Sequence, residues 1–118
     1  MDRIAQRTRK VSSIADDASL SHRVDIYVPS NNSYKTADHV ARSLCAIFGG
    51  ATAQDVKGYW IGKEGGLVKD DIVLVYAYCT GKALKKHASY IKALCQKVKN
   101  DESQESVAYA VDTSMYFV

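Results

Sequence analysis

Polar and apolar residues alternate first in "RVDIYVPS". Val24, Ile26 and Val28 are separated by Asp25 and Tyr27, the two-residue period of a half-buried strand. Pro29 lacks a backbone donor and closes the ladder. After the loop "SNNSYK" the period changes. In "TADHVARSLCAIFGG", Ala37, Val40, Ala41, Leu44, Ile47 and Phe48 fall on one helical face. Thr36 is the expected N-cap. Gly49 and Gly50 stand where a helix needs a left-handed C-cap.

The next stretch, "ATAQDVKGYWIGKEGGLVKDDIVLVYAYCT", reads as two strands joined at "GKEGG", where glycine supplies positive φ. The second strand is apolar on both faces. Ile72, Leu74, Tyr76 and Tyr78 lie on one side, and Val73, Val75, Ala77 and Cys79 on the other. Such a strand is central and covered twice. "TGKALKKHASYIKALCQKVKND" returns to helical period, with Leu84, His87, Ala88, Ile91, Leu94, Cys95 and Val98 as its stripe. "ESVAYAVD" is the last full strand, and "MYFV" has the length to fold back as a short extra one.

The pattern predicts strands near 23–29, 52–62, 67–79 and 105–112 and helices near 36–48 and 81–99. The order strand, helix, strand, strand, helix, strand is the split βαβ of an α+β, ferredoxin-like sandwich. It implies a four-stranded antiparallel sheet with two helices on one face. Residues 1–22 form a polar N-terminal arm, mobile or docked on a partner. Residues 23–118 form the domain.

The glycines between Phe48 and Gly66 invite a phosphate-loop reading. They fail it, because such a loop runs from a strand into a helix N-terminus. Here Gly49-Gly50 leaves a helix, and "GKEGG" joins strands. Gly58 and Gly62 flank Trp60 within a strand, where they mark a bulge or bend, or a place for a ligand close to the backbone.

Composition narrows the classes. The chain has 118 residues, 47% of them hydrophobic, and a formal charge of +3, which permits anion binding without requiring it. Cys45, Cys79 and Cys95 are odd in number and form no CxxC pair, so neither a disulfide framework nor a structural zinc site is expected. No metal and no cofactor is expected. The longest apolar stretch, "IVLVYAYC", is far shorter than a membrane span of about 20 residues. A cytoplasmic protein with no membrane partner is the expectation.

Catalytic candidates are few. His22 adjoins the arm and reads as solvated, and His39 lies off its helix stripe. His87 lies on the stripe and is the candidate general base, with Asp25 and Tyr27 as its partners in a pocket between sheet and helices. "KDD" (Lys69 to Asp71) offers a carboxylate pair, which reads as solvated at a strand start. A nucleic-acid reading uses Arg7, Arg9 and Lys10 of the arm with Lys85 and Lys86 of the second helix. "IYVPSN" and "VYAYC" echo the two motifs of RNA-recognition modules, which stack bases on sheet aromatics. Asp70 and Asp71 oppose phosphate there.

"GYWIGKEGGLVKDDIVLVYAY" and "QESVAYAV" resemble a family of small uncharacterised bacterial proteins of mobile elements. That family has a G-x-W strand, a G-x-[LIV]-V turn, a valine-rich strand and a final QES-type strand. The resemblance covers the last two-thirds of the chain and implies the same fold, without implying an activity.

These readings favour a non-catalytic binding or interaction module, with a small enzyme and an RNA or DNA binder as alternatives. Trp60, Tyr76, Tyr78 and Tyr109 are its expected ligand or partner surface. Helices cover one sheet face only, so the apolar residues of the central strand require a cover on the other. A homodimer through the open sheet face is the expected cover, with the N-terminal arm folded across the sheet through Ile4, Val11 and Ile14 as its rival, and a protein partner or small ligand as the other occupants.

Overall fold

The computed structural model describes residues 20–31 and 33–118. Ile4, Arg7, Arg9, Lys10, Val11 and Ile14 of the expected arm lie outside the described residues. Strand β1 (His22–Pro29) leads to helix α1 (Lys35–Phe48), strands β2 (Thr52–Ile61) and β3 (Leu67–Cys79), helix α2 (Gly81–Asp101), and strands β4 (Ala108–Val111) and β5 (Ser114–Phe117). The strands form one sheet in the order β2-β3-β1-β4-β5, and every neighbouring pair is antiparallel. The first four strands have the predicted ferredoxin-like order. The fifth corrects the four-stranded expectation.

The correction has a local cause. The last predicted strand begins only at Ala108, and the chain reverses at Asp112 and Thr113. Asp112 adopts φ 56°, a left-handed conformation that aspartate tolerates better than most residues. The reversal sends "SMYF" back beside β4.

Register decides which side of β3 the helices cover. Val24, Ile26 and Val28 of β1 pair with Ala77, Val75 and Val73. All six are buried, in one cluster with Ala37, Val40 and Leu44 of α1 and Ile91, Leu94, Cys95 and Val98 of α2. Both helices therefore pack on one face. Each large aliphatic side chain buried there contributes about 1.5–3 kcal/mol. Ile72, Leu74, Tyr76 and Tyr78 face the other way.

The helix ends hold one surprise. Gly49 caps α1 at φ 88°, its N–H donating to the Cys45 carbonyl, as expected. At the other end Tyr34, not Thr36, occupies the N-cap position, and no side chain caps it. The Thr36 hydroxyl instead donates to Glu102, which ties the start of α1 to the end of α2. Thr80 caps α2 by accepting from the Ala83 N–H at 3.1 Å. The β2–β3 register runs unbroken from Thr52↔Tyr76 to Ile61↔Leu67, so the bulge expected at Gly58 or Gly62 is absent from this pair. "GKEGG" is a hairpin turn, closed by Gly62 N–H to the Gly66 carbonyl at 2.8 Å, with Gly65 at φ 85°.

Candidate functional site

The open sheet face carries the candidate site. At its centre Asp25 pairs across strands with Tyr76, and Arg23 with Tyr78. Strand alternation places all four side chains on the uncovered face. Arg23 Nε donates to Asp25 Oδ1, and the Arg23 guanidinium lies 3.7 Å from the centroid of the Tyr76 ring. Tyr76 and Tyr78 meet edge to face at 6.1 Å. The Asp25 side chain is only 12% exposed, so its charge is sheltered and its arginine partner offsets the desolvation. The hydrogen bond to Asp25 holds the Arg23 pKa above even its ordinary high value. The cluster is a fixed, charge-neutral platform.

From that platform β1 continues through Tyr27 and Pro29 into a cleft of about 610 Å³, within the range of small-molecule sites. One wall is the β2–β3 hairpin, with Gly58, Trp60, Asp70 and Ile72; the opposite wall is β5, with Met115 and Phe117. The Trp60 indole N–H donates to Asp70 Oδ2 at 2.9 Å, which holds the ring on the open face. Gly58 widens this wall, since a Cβ there would lie 3.3 Å from Ile72 Cγ1. Among the described residues, Asp70 and Glu105 are the charged members of the lining, which includes no lysine or arginine. Aromatic rings with two carboxylates suit a flat ligand that carries positive charge or hydrogen-bond donors.

The expected trio of His87, Asp25 and Tyr27 does not assemble. His87 projects from α2 beside Phe48, ring centroids 5.8 Å apart, while Asp25 and Tyr27 lie across the sheet on the other face. No pocket between sheet and helices gathers these three residues, and Tyr27 lines the cleft on the open side instead. Tyr109 is also misplaced by the expectation. It pairs with Ile26 and faces the helix side, stacked on Tyr116 at 5.4 Å. Trp60, Tyr76 and Tyr78 are on the open face as expected. Asp70 and Asp71 are no carboxylate pair, because strand alternation sends them to opposite faces. Asp71 meets Lys57, and that lysine holds its carboxyl below the usual range. Lys85 and Lys86 are exposed on α2, remote from the open face. Arg23, Glu105 and Phe117 were not singled out by sequence, and Asp70 was read only as a solvated carboxylate. The alternation of Asp25 with Val24 and Ile26 was the available signal for the first of these, since Arg23 shares its parity.

Among the described residues no group of three or more His, Cys, Asp or Glu side chains converges as a metal site. No helix among them is long and apolar enough to cross a membrane.

No family model and no curated protein matches this chain. Solved structures do. A phage SAM lyase in complex with S-methyl-5'-thioadenosine is similar, with a TM-score of 0.59 and 19% identity over 82% of this chain and 88% of that one. A phage SAM lyase in its apo state matches at a TM-score of 0.59 and 18% identity, over 82% and 87%. CutA from Synechococcus elongatus matches at 0.54 and 12%, over 83% and 80%. These likenesses establish the fold. They also overturn the expectation of a non-catalytic module, which rested on missing catalytic motifs: two of these structures are of an enzyme, so the same architecture at nearly the same length supports catalysis.

Proposed function

We propose that the protein is an enzyme acting on S-adenosylmethionine or a close analogue, with the open-face cleft as its substrate site. One observation carries this reading: a cleft of nucleoside-binding size whose lining combines Tyr27, Trp60 and Phe117 with Asp70 and Glu105 and, among the described residues, no cationic side chain. The substrate is a flat nucleoside joined to a sulfonium cation. Aromatic faces suit both parts, through stacking and cation–π attraction. Asp70 and Glu105 are the acceptors available to ribose hydroxyls and to the ammonium group.

The chemistry needs little from the protein. Forming S-methyl-5'-thioadenosine breaks the bond between sulfur and the aminobutyryl chain. The bonding pair returns to sulfur, which loses its charge. The freed carbon bonds to the chain's own carboxylate oxygen, closing a lactone. Opposite charges cancel in this step, so a cleft that strips water from both ions and holds the chain bent favours it. No side-chain nucleophile is required, which accords with the lack of a catalytic motif in the sequence.

The test is direct. Purified protein incubated with S-adenosylmethionine is expected to release S-methyl-5'-thioadenosine, read by liquid chromatography and mass spectrometry, and Trp60→Ala to reduce the rate at least tenfold. Failure of the protein to bind or convert S-adenosylmethionine, by calorimetry and product assay, overturns the reading.

Association belongs to the same reading. Trp60 and Phe117, on opposite walls, are 52% and 68% exposed. A second copy packed on the open face covers both and closes the cleft, so light scattering is expected to report a dimer.

A further inference from the structure

A second cleft lies on the helix side of the sheet, behind the one described. His22 stands at its mouth. Its Nδ1 is 2.9 Å from Asp112 Oδ2, and the other oxygen of Asp112 accepts the Arg23 backbone N–H at 2.9 Å. This bond sets the neutral ring with its proton on Nδ1 and leaves Nε2 free to take another. Nε2 occupies space opened by Gly81, where a Cβ would sit 3.2 Å away. Beyond it is a cleft of about 620 Å³ lined by Leu84, Lys85, Ala88, Val111 and the stacked pair Tyr109 and Tyr116.

We propose that this cleft is a second small-molecule site, selective for a compact apolar molecule bearing a carboxylate. His22 and Lys85 receive the anion, and the apolar walls and tyrosine stack hold the body. Asp112 from the β4–β5 turn holds Nδ1, and Lys85 from α2 lines the same cleft. Cys79, the β3 partner of His22, stays a neutral thiol because burial raises its pKa. A carboxylate arriving at Nε2 joins Asp112 and offsets Lys85, so binding draws a proton onto His22. The charged group then has an oppositely charged partner on each nitrogen.

Benzoate and benzyl alcohol are the probes, since they differ only in the charged group. Calorimetry near pH 7.5, in two buffers of different ionisation enthalpy, is expected to show benzoate binding at least tenfold tighter, with net proton uptake. His22→Asn is expected to weaken benzoate at least tenfold and to abolish the uptake. Lys85→Gln weakens it severalfold and keeps the uptake. Both variants leave S-methyl-5'-thioadenosine formation unchanged, because the open-face cleft lies across the sheet. Equal affinity for the two probes, absence of proton uptake, or unchanged benzoate affinity in His22→Asn overturns the proposal, whatever the outcome with S-adenosylmethionine.

Discussion

Replacing Gly58 by alanine separates fold from function in the open-face cleft. The residue sits within β2 opposite Asp70, outside the positive-φ glycines, so alanine adopts its backbone without strain. The new Cβ meets Ile72 Cγ1 at 3.3 Å and Cδ1 at 3.9 Å. Ile72 is only half-buried, and its side chain has room to give a few tenths of an ångström. Removing a strand glycine favours the fold by about 0.5–1 kcal/mol, and the close contact returns part of that. The net change is expected within about 1 kcal/mol, a shift in Tm of no more than about 4 °C for a chain of this size. The same methyl intrudes on the cleft beside Trp60. A misfit of one carbon in a fitted pocket costs about 1–3 kcal/mol, or roughly 10–200-fold in kcat/KM. Thermal denaturation and product assay on the one variant give both numbers. A folded variant with unchanged kcat/KM refutes the placement of the substrate. A loss of stability beyond about 2 kcal/mol refutes the claim that Ile72 yields.

Leu44→Ala empties a fully buried position beneath β3 and is expected to destabilise by about 2–5 kcal/mol in urea denaturation; a loss below about 1 kcal/mol contradicts the packing. Asp112 is held below its ordinary 3.8, first by His22 and then by the Arg23 N–H. Its carboxylate therefore stabilises the fold above pH 3.8, and the contribution fades as the pH falls below that value. Denaturation of the wild type and Asp112→Asn is expected to differ at pH 7 and to converge as the pH falls progressively below 3.8, and a gap that widens in acid contradicts the pairing. Burial pushes the Cys95 thiol up to about 12, while Cys45 is only half-buried. A thiol reagent at pH 8 is expected to modify Cys45 first, with Cys95 reacting only on unfolding; equal rates on the folded protein contradict the burial.

The fold was legible because its signals are local and repeated. Val24, Ile26 and Val28 report a strand on their own, and the stripe from Leu84 to Val98 reports a helix. Gly49 reports a helix end because the left-handed conformation that caps a helix favours glycine over other residues. What stayed hidden depends on register between distant segments. "IVLVYAYC" is apolar on both faces, so its inner face is fixed only when Val75 meets Ile26. That pairing parts His87 from Asp25, and the pairing of Tyr109 with Ile26 sends Tyr109 to the helix side. The open-face cleft needs Trp60 and Phe117 on opposite walls, 57 positions apart in the chain, and no periodicity encodes that meeting. His22 reads as solvated because Asp112 lies 90 positions away. Thr36 was misread for a similar reason: Glu102, distant in sequence, takes the hydroxyl that a cap requires.

The two outer strands of the sheet are unequal in a way that bears on handling the protein. At one border β2 displays Asp55 and Lys57, each already engaged with a neighbour, Tyr34 or Asp71. A foreign strand approaching there must disturb an ion pair and a hydrogen bond to a carboxylate. At the other border β5 is "SMYF", uncharged, with Met115, Tyr116 and Phe117 all exposed. Unpaired backbone beside apolar side chains is a template for further strands. Its four residues offer a ladder too short to hold a single added strand firmly, so growth from this border is slow at low concentration and steepens as the solution is concentrated.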